Sequence, residues 1–369
     1  MKIGFDGKRT TQNLTGLGNY SRYIIQLLAK FYPENHYTIY ALKPPSQDLT
    51  ISGIEYQYPK VKWVKSYWRS YGVVKDLVKQ KIDLFHGLSN EIPHGLKKAG
   101  IPSVVTIHDL IFIRYPQYYS FIDRIIYKLK FLHAALHADK VIAISQQTKQ
   151  DLVEYFGINE DRIKVIYQNC DPIFRQTISQ TARNTVAKKH SLPRKYLLNV
   201  GTIEERKNLM LIVKALTKIE AVHLVVVGKE TGYIKKVKDF IAEHNLTERV
   251  HFLKNVAHAD LPAVYQQAEL FIYPSRFEGF GIPIIEALHS GVPVIAATGS
   301  CLEEAGGPGS IYVDPDDATD LAKQISDILE NSEKRTDMIN AGREYLEKFE
   351  DKKIADQMLH FYQNVLDNA

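Results

Sequence analysis

Cysteine is scarce in this chain of 369 residues, which contains two, Cys170 and Cys301. Two distant cysteines give neither a zinc-binding spacing nor a disulfide framework, and such a composition is typical of a reducing compartment. Long apolar runs are also missing, since none approaches the roughly 18 residues needed to cross a bilayer. The first residues, Met1 to Gly7, turn polar before the apolar core of a signal peptide could form. We therefore expect a cytoplasmic protein.

Neither sign of charge dominates the whole chain, but its front half is basic. Lys and Arg number 47 against 42 Asp and Glu, and residues 1–170 hold 23 of the basic residues against 14 acidic ones. A basic half is typical of a domain that meets an anionic partner. No zinc-finger or RNA-recognition signature accompanies this charge, so we do not expect nucleic acid to be that partner.

Short apolar runs alternate with helical periodicity along the whole chain. Helical periodicity is clearest at Tyr20–Lys30, Phe121–Ala138, Leu209–Leu216 and Leu321–Leu329. Alternation of apolar strands with helices is typical of parallel sheets that are covered on both faces. The predicted strands are Lys2–Phe5, Thr38–Leu42, Asp83–His86, Val104–His108, Val141–Ser145, Lys164–Tyr167, Tyr196–Val200, His223–Val227, Val250–Leu253, Leu270–Pro274, Pro293–Ala296 and Ser310–Val313.

The strands fall into two groups, separated by the polar, strandless segment Asp171–Lys195, which we interpret as a linker region. The chain ends in a helical segment, Glu350–Asn368. We therefore predict an α/β protein with two doubly wound domains facing a central cleft. The N-terminal domain covers residues 1–175 and the C-terminal domain residues 190–349. Ligands of such sheets bind beyond the carboxyl ends of the strands, which is where candidate motifs are sought.

The stretch from Leu270 to Pro293 is the richest in candidate chemistry. After a predicted strand, a helix is expected to begin at Pro283, because a missing N–H costs nothing in a first helical turn. A glycine-rich loop before a helix is an anion site suited to phosphates. By residue type alone, Glu278 could equally be a carboxylate favoured by the helix dipole, and Glu286 part of a solvated helix face.

Glu278 and Glu286 are separated by seven residues, and this spacing resembles the E-x7-E signature of retaining GT-B glycosyltransferases of the group 1 family. The flanking Phe-Glu-Gly-Phe-Gly and the trailing Gly-Val-Pro are similar to that signature too. The resemblance implies that Glu278 binds donor-sugar hydroxyls and that Glu286 binds the ribose hydroxyls. It also implies that the amides of Gly279, Phe280 and Gly281 lie close to the sugar and phosphates.

A second element opens the back half and reads Gly-Thr-Ile-Glu-Glu-Arg-Lys-Asn from Gly201 to Asn208. Adjacent Arg and Lys in a loop after a strand can be a solvated corner. Here they resemble the family's Gly-x-x-x-x-Arg-Lys-Asn element, which implies that Arg206 and Lys207 hold the diphosphate. Thr202 stands where part of the family has a further Arg.

Two elements of the front half add to the resemblance. Gly16-Leu-Gly18-Asn19 fails as a dinucleotide fingerprint, because position 21 is Ser rather than Gly. It resembles the family's glycine-rich loop, which approaches the donor phosphates and the acceptor, although many members have Arg in place of Asn19. His108 ends a predicted strand, where a lone His can be a hydrogen-bonded structural residue. The resemblance instead implies a place beside the transferred sugar.

Donor identity rests on weaker signals. We expect the backbone at Asn255 and Val256 to hold the base of the nucleotide. Because backbone contacts do not depend on side chains, the residue types there do not indicate which base is bound. The amino-acid sequence of the Gly201–Asn208 element favours a mannosyltransferase and hence GDP-mannose as the donor. Asp314-Pro-Asp316 looks like the metal-binding motif of another glycosyltransferase fold, but it lies where Asp is an ordinary helix N-cap. Since GT-B enzymes generally need no divalent metal, we expect no cofactor and no metal.

The resemblance covers nearly the whole chain, including the last segment, which in this fold crosses back onto the first domain. It implies a retaining transfer of sugar from a nucleotide-diphosphate donor to an acceptor hydroxyl in surface polysaccharide or glycolipid synthesis, with His108, Glu278 and Lys207 as catalytic residues. One alternative is a nucleotide-sugar 2-epimerase on the same fold, which needs additional acid/base carboxylates. Another is a two-domain sugar-binding protein, which needs an export signal.

The segment Lys60–Lys81 contains seven basic residues against one acid, together with both tryptophans of the chain, Trp63 and Trp68. Its apolar residues recur at helical spacing, which favours a helix packed on the first domain's sheet. Aromatic anchors among Lys and Arg would equally suit an anionic membrane surface. In that case the protein is peripheral on the inner face of the membrane and the acceptor is lipid-linked; otherwise the acceptor is a soluble glycan.

Overall fold

The computed structural model divides into two compact units. Unit 1 comprises Met1–Gln168 and Phe349–Ala369, and unit 2 comprises Asn169–Lys348. Each unit is built on its own parallel sheet. The residues described are 1–13, 15–46, 49–60 and 65–368.

The segment Asp171–Lys195, which we interpreted as a linker, is part of unit 2. It contains a helix, Gln180–His190, that packs against another helix at Leu261–Tyr265. Val186 is the buried residue of the first helix, so the segment carries too weak an apolar pattern to predict a helix. The unit boundary accordingly falls at Gln168.

The sheet of unit 1 has the order β3-β2-β1-β4-β5-β6-β7, and all neighbouring strands are parallel. The third strand was not predicted, because it is three residues long, lies at the sheet edge and contains no fully buried residue. The strands are β1 Lys2–Asp6, β2 His36–Tyr40, β3 Glu55–Gln57, β4 Leu84–Gly87, β5 Ser103–Ile107, β6 Lys140–Ala143 and β7 Ile163–Val165.

The sheet of unit 2 has the order β10-β9-β8-β11-β12-β13 and is also parallel. All four residues of β11 and of β12 are buried, and since successive side chains point to opposite faces, both faces of the sheet are covered there. The strand order reverses between β8 and β11, the position at which such sheets bind ligands. The strands are β8 Tyr196–Val200, β9 His223–Val227, β10 Val250–Leu253, β11 Leu270–Tyr273, β12 Val294–Ala297 and β13 Ile311–Val313.

Helices connect the strands of both sheets. Unit 1 contains α1 Gly16–Phe31, α2 Lys65–Tyr67, α3 Val73–Gln80, α4 Ile111–Arg114, α5 Phe121–His137 and α6 Gln146–Phe156. Unit 2 contains α7 Gln180–His190, α8 Leu209–Leu216, α9 Ile234–Glu243, α10 Leu261–Tyr265, α11 Ile282–His289, α12 Leu302–Gly306, α13 Ala318–Glu330 and α14 Ser332–Tyr345. The last helix, α15 Asp351–Asp367, returns to unit 1. Among the described residues, no helix combines the length and apolarity needed to cross a membrane.

The aspartates near the start of α13 make local contacts. Asp317 is the N-cap and accepts hydrogen bonds from the backbone N–H groups of Thr319 and Asp320. Asp314 accepts the backbone N–H of Asp316, whose side chain forms an ion pair with Arg276 at 2.5 Å. The N-cap is therefore the residue that follows the Asp-Pro-Asp motif.

The segment Lys60–Lys81 is interrupted by a π-helical turn at Trp68–Gly72, between α2 and α3; residues 61–64, including Lys62 and Trp63, lie outside the described part of the chain. A π-turn adds one residue per turn, so Val73 rather than Tyr71 follows Trp68 on the buried side. Uninterrupted helical spacing could not predict this change of register. Tyr71 is exposed as a result.

Two side chains of this segment that suited a membrane surface are instead engaged in unit 1. The indole N–H of Trp68 donates to Asp76 at 2.7 Å. Arg69 forms ion pairs with Asp6 at 2.7 Å and with Glu91 at 2.6 Å. For Trp68 and Arg69, the structure therefore agrees with the packed-helix interpretation.

A chain of buried polar groups joins α15 to the sheet of unit 1. The Tyr362 hydroxyl lies 2.6 Å from His86 Nδ1, and His86 Nε2 lies 2.8 Å from Thr106 Oγ1. Thr106 is in turn 3.0 Å from the Tyr20 hydroxyl on α1. Burial lowers the pKa of His86 to about 3, so the imidazole is neutral. Four elements therefore share one hydrogen-bonded network.

We expect Tyr362→Phe to lower the free energy of unfolding of unit 1 by about 1–3 kcal/mol, because it leaves a buried imidazole nitrogen unpaired. Urea unfolding of the full chain measures this loss. Gln363→Ala, an exposed change on the same helix, is the control and should leave the midpoint unchanged. An unchanged midpoint for Tyr362→Phe would show that the network contributes little.

Candidate functional site

A carboxylate lies between two cations at the carboxyl ends of two central strands in the sheet of unit 2, β8 and β11. Glu278 Oε1 is 2.5 Å from Lys207 Nζ and 2.9 Å from an Arg206 guanidinium nitrogen. The Ser275 hydroxyl donates to the same oxygen at 2.6 Å, and the Tyr273 hydroxyl does so at 3.2 Å. Burial alone would raise the pKa of this carboxyl, but Lys207 and Arg206 lower it to about 2. Glu278 is therefore ionised at neutral pH.

The fold brings these residues together because β8 and β11 are adjacent and parallel. The loop after β8 carries Arg206 and Lys207 in a short 3-10 turn, which ends at Asn208 in the left-handed region with φ 57°. The loop after β11 carries Glu278, and the Arg206 carbonyl accepts the backbone N–H of Arg276 at 2.9 Å. The loops that follow two adjacent strands thus bring Arg206, Lys207 and Glu278 into a single cluster.

Backbone geometry fixes the loop that follows Glu278. Gly281 has φ 134°, and a Cβ at this position would lie 3.1 Å from a Leu302 methyl group, so both conformation and space favour glycine. The Cys301 sulfur lies 3.0 Å from the carbonyl oxygens of Glu278 and Phe280. The helix α11 begins directly after this loop; Pro283 in its first turn has no N–H, and the Ile284 N–H donates to the Gly281 carbonyl at 2.9 Å. The glycine-rich loop and the helix that follows it are therefore both present, with Gly279 in the same loop, while the binding of an anion there remains a prediction.

Glu286 has a different environment from Glu278. Its Oε2 accepts a hydrogen bond from the buried Tyr265 hydroxyl at 2.8 Å. Removal from water raises the pKa of this carboxyl to about 7, and Asp171 adds to the rise while His258 opposes it. His258 Nε2 lies 3.1 Å from Asp171. Near neutral pH, Glu286 therefore exchanges between its neutral and ionised forms.

His108 in unit 1 is a buried, neutral imidazole. Its Nε2 donates to the Leu88 carbonyl at 2.9 Å, and the edge-on Tyr20 ring lies 4.6 Å away between ring centres. Its backbone N–H donates to Asn90 at 2.7 Å. Burial lowers the pKa of His108 to about 4. With Nε2 carrying the proton, Nδ1 is left as a hydrogen-bond acceptor, and a role beside the sugar remains a prediction.

The predicted glycine-rich loop is the first turn of α1, which begins at Gly16 after the N-cap Thr15. A Cβ at Gly18 would lie 1.9 Å from the Asn13 carbonyl oxygen, so this position admits only glycine. Gly16 is exposed, with no atom within 4 Å of a Cβ built there. Glycine at position 18 is therefore required by its packing against the Asn13 carbonyl.

Asn255 and Val256 follow β10 at the outer edge of the sheet in unit 2. Asn255 is exposed and adopts the left-handed conformation with φ 53°. This places both residues beyond the carboxyl end of a strand, where a ligand of the sheet would lie. Their contact with a base remains a prediction.

Sequence reasoning missed several side chains that complete the two carboxylate environments. Ser275 and Tyr273 stand at the end of β11, directly before Glu278, so polar groups at a strand end were the available signal. Tyr265 and the His258–Asp171 pair lie on elements without a motif. Their partnership with Glu286 arises from tertiary packing, which a single sequence does not show.

Residues 182–345 match the family model "Glycosyl transferases group 1", and residues 15–172 match the family model "Glycosyltransferase Family 4". The chain is 28% identical over 285 residues to the O-antigen chain mannosyltransferase B of Escherichia coli, covering 76% of this chain and 74% of the relative. It is 26% identical over 298 residues to the O-antigen chain mannosyltransferase RfbU of Salmonella typhimurium, covering 79% and 76%.

Among solved structures, Anabaena HepE in complex with UDP matches with a TM-score of 0.78 and 19% identity, covering 99% of this chain and 100% of that one. Sucrose-phosphate synthase from Thermosynechococcus elongatus matches with a TM-score of 0.77 and 21% identity over the whole of both chains. Likeness at this level of identity concerns the fold.

The family models define the class of protein, a glycosyltransferase, and the two Rossmann-like units with parallel sheets, together with the matches to solved structures, define its GT-B fold. The chain belongs to the group 1 glycosyltransferases, which confirms the family predicted from the E-x7-E stretch. Of the functions that the sequence left open, this membership supports the transferase.

We expect the stability of the protein to fall as pH rises from about 4.5 to about 7 through the contribution of Glu286. Its pKa is about 7 when folded against a usual 4.5, so in this range the folded state holds a proton that the unfolded state has lost. Glu286→Gln removes this dependence and should unfold at a higher temperature than wild type at pH 8, with the difference shrinking towards pH 5.

Thermal unfolding at several pH values checks this expectation. Glu330→Gln, at an exposed position of unit 2, is the matched control and should follow wild type throughout. A difference between Glu286→Gln and wild type that is constant with pH would contradict the raised pKa.

Proposed function

We propose that the protein is a retaining hexosyltransferase that uses a nucleotide-diphosphate sugar, with GDP-mannose favoured. Its acceptor is a glycan or a lipid-linked sugar in the synthesis of a surface polysaccharide or glycolipid, on the cytoplasmic side of the membrane. The observation that carries the proposal is the cluster of Lys207, Arg206 and Glu278 where β8 and β11 end. The names of the two O-antigen mannosyltransferases support mannose, and the UDP in the Anabaena structure supports a nucleoside diphosphate.

The cluster has the charge that the reaction requires. Transfer separates a diphosphate from the anomeric carbon, so negative charge grows on the leaving group. Preorganised cations in a site shielded from water stabilise such charge strongly. Lys207 and Arg206 take this role, aided by the N-terminus of α11 and the amides of Gly279, Phe280 and Gly281. With two cations present, we expect transfer to need no divalent metal.

Glu278 holds the two cations in place before the donor arrives. Its Oε1 accepts all four contacts of the cluster. We assign Oε2 to a hydroxyl of the donor sugar, because an ionised carboxylate oxygen is a strong acceptor. The bond from the anomeric carbon to the phosphate oxygen breaks, and the acceptor oxygen bonds to that carbon on the same face, which preserves its configuration. The leaving phosphate oxygen takes the acceptor proton.

Other roles follow the family resemblance. Glu286 binds the ribose hydroxyls, and the backbone of Asn255 and Val256 holds the base. Nδ1 of His108 accepts a hydrogen bond from a sugar hydroxyl, and the α1 turn with Gly16 and Gly18 belongs to the phosphate and acceptor region. Each of these assignments is part of the proposal.

A nucleotide panel tests the donor. At a concentration of 100 times its dissociation constant, a ligand stabilises a protein by about 2.7 kcal/mol, so GDP should raise the unfolding temperature more than UDP or ADP at equal concentration. GDP-mannose consumption should persist in EDTA. A larger shift with UDP would overturn the choice of GDP, and no shift with any nucleotide would overturn the donor class.

The two glutamates should separate in binding and transfer. Glu286→Ala is expected to weaken GDP binding about tenfold to a hundredfold, since hydrogen bonds to a charged group contribute about 1.5–3 kcal/mol. Glu278→Ala should retain GDP affinity, because the bound diphosphate replaces the lost carboxylate as the anionic partner of Lys207 and Arg206, while transfer falls by about 10²–10³-fold. Calorimetry with GDP and a transfer assay measure both. Glu330→Ala is the control, and equal losses of GDP affinity in the two variants would refute the division of roles.

A further inference from the structure

Helix α5 is apolar on two opposite sides, and one of these sides is exposed. Ala134 and Ala135 are fully buried against unit 1. Phe121, Ile122 and Leu129 are 71%, 69% and 65% exposed. Seven of the twelve large apolar side chains that are exposed among the described residues lie on this helix. Single exposed apolar residues are ordinary, but such a concentration marks an interaction surface.

Six of the seven exposed side chains form one stripe. At 100° per residue, spacings of three, four and seven residues place them along one face, opposite the buried alanines. The seventh, Tyr127, lies on another side of the helix and packs edge-on against Phe112. The helix therefore has an apolar face left over after packing. We call this face the α5 stripe; its members are Phe121, Ile122, Ile125, Ile126, Leu129 and Leu136.

Basic side chains border the α5 stripe on both sides. Lys128 and Lys130 project about a quarter-turn or slightly more to either side of it, and both residues are exposed, with the Lys130 ammonium 3.7 Å from Glu91. The acid of this helix, Asp123, accepts the Ser120 hydroxyl at the N-terminus at 2.7 Å. An apolar stripe between basic flanks is typical of a helix that lies in the surface of an anionic membrane.

Exposed aromatic rings continue the stripe towards the π-turn segment. The exposed ring of Tyr71 stacks on His94 at 4.6 Å between centres, and His94 lies 4.0 Å from His133 on α5. Tyr67 is also exposed and stacks on Tyr71 at 5.3 Å. Tyrosine suits a membrane interface, because its ring is apolar and its hydroxyl is polar. The apolar surface thus extends beyond one helix.

We propose that α5 is an interfacial helix that lays the α5 stripe into an anionic lipid bilayer. The basic flanks favour a bilayer over a second copy of this chain, because a twofold contact of α5 with itself would gather the basic side chains of both copies, with Asp123 as the acid of each helix. The excess of basic over acidic residues in 1–170, 23 against 14, acts in the same direction.

The position of α5 also bears on the acceptor, and this part rests on the proposed function. Leu129, Lys130 and His133 line a cavity of about 210 Å³ that Arg69 and Glu91 also border. Nε2 of His133 is buried without a hydrogen-bond partner among the described residues. A molecule anchored in the bilayer by an apolar tail would present its polar head beside this cavity. The acceptor class that fits is therefore lipid-linked.

Sedimentation of the full chain with vesicles tests the proposal. Wild type should sediment with phosphatidylcholine vesicles that contain phosphatidylglycerol, more strongly at low salt than at physiological salt, and only weakly with phosphatidylcholine alone. Ile122→Glu with Leu129→Glu should reduce this binding on the order of tenfold or more. Lys128→Gln should reduce it about fivefold at low salt.

The matched control combines Val78→Glu with Val153→Glu, two exposed apolar positions on other helices of unit 1, and should bind vesicles like wild type. Failure of wild type to sediment at low salt would overturn the proposal. A dimer that the α5 variant converts to monomer, without vesicle binding, would assign the stripe to a second copy instead. GDP binding, measured on the same variants, tests the proposed function separately.

Discussion

The structure of unit 2 around its two central strands depends on the contact of Glu278 with Lys207 and Arg206. Any one of these charges, buried without its partners, would be costly, because removal from water disfavours the ionised form. Bringing them together requires two loops from adjacent parallel strands, and each loop contains a backbone conformation with positive φ, at Asn208 and at Gly281. The neighbouring hydroxyls of Ser275 and Tyr273 complete the hydrogen bonding of the carboxylate.

Two carboxyl groups with seven residues between them in sequence have opposite electrostatic settings. Glu278 is surrounded by cations and hydroxyl donors, and its pKa is about 2. Glu286 faces one buried tyrosine and little water, and its pKa is about 7. Glu278 lies in the loop before α11, whereas Glu286 lies about one turn into the helix, so each side chain meets different elements. One short segment of the chain therefore places two glutamates in two distinct chemical environments.

Much of this arrangement could be predicted from sequence, because strands such as Tyr196–Val200 are short apolar runs with clear ends. The loop residues of the Lys207–Glu278 cluster were identifiable by motif. The π-turn at Trp68–Gly72 was not, since its extra residue changes the register without any compositional sign. Tyr265 was missed for a different reason: its hydroxyl acquires meaning only from contact with Glu286, 21 residues away.

The return of α15 to unit 1 has a consequence for how the protein is made. Unit 2 is contiguous in sequence, whereas unit 1 takes its last helix from residues synthesised after all of unit 2. The bond between Tyr362 and His86 spans 276 positions. On the ribosome, unit 2 can therefore complete its sheet while unit 1 still lacks the helix that covers its buried histidine. Unit 1, although its synthesis begins first, is the last to finish folding.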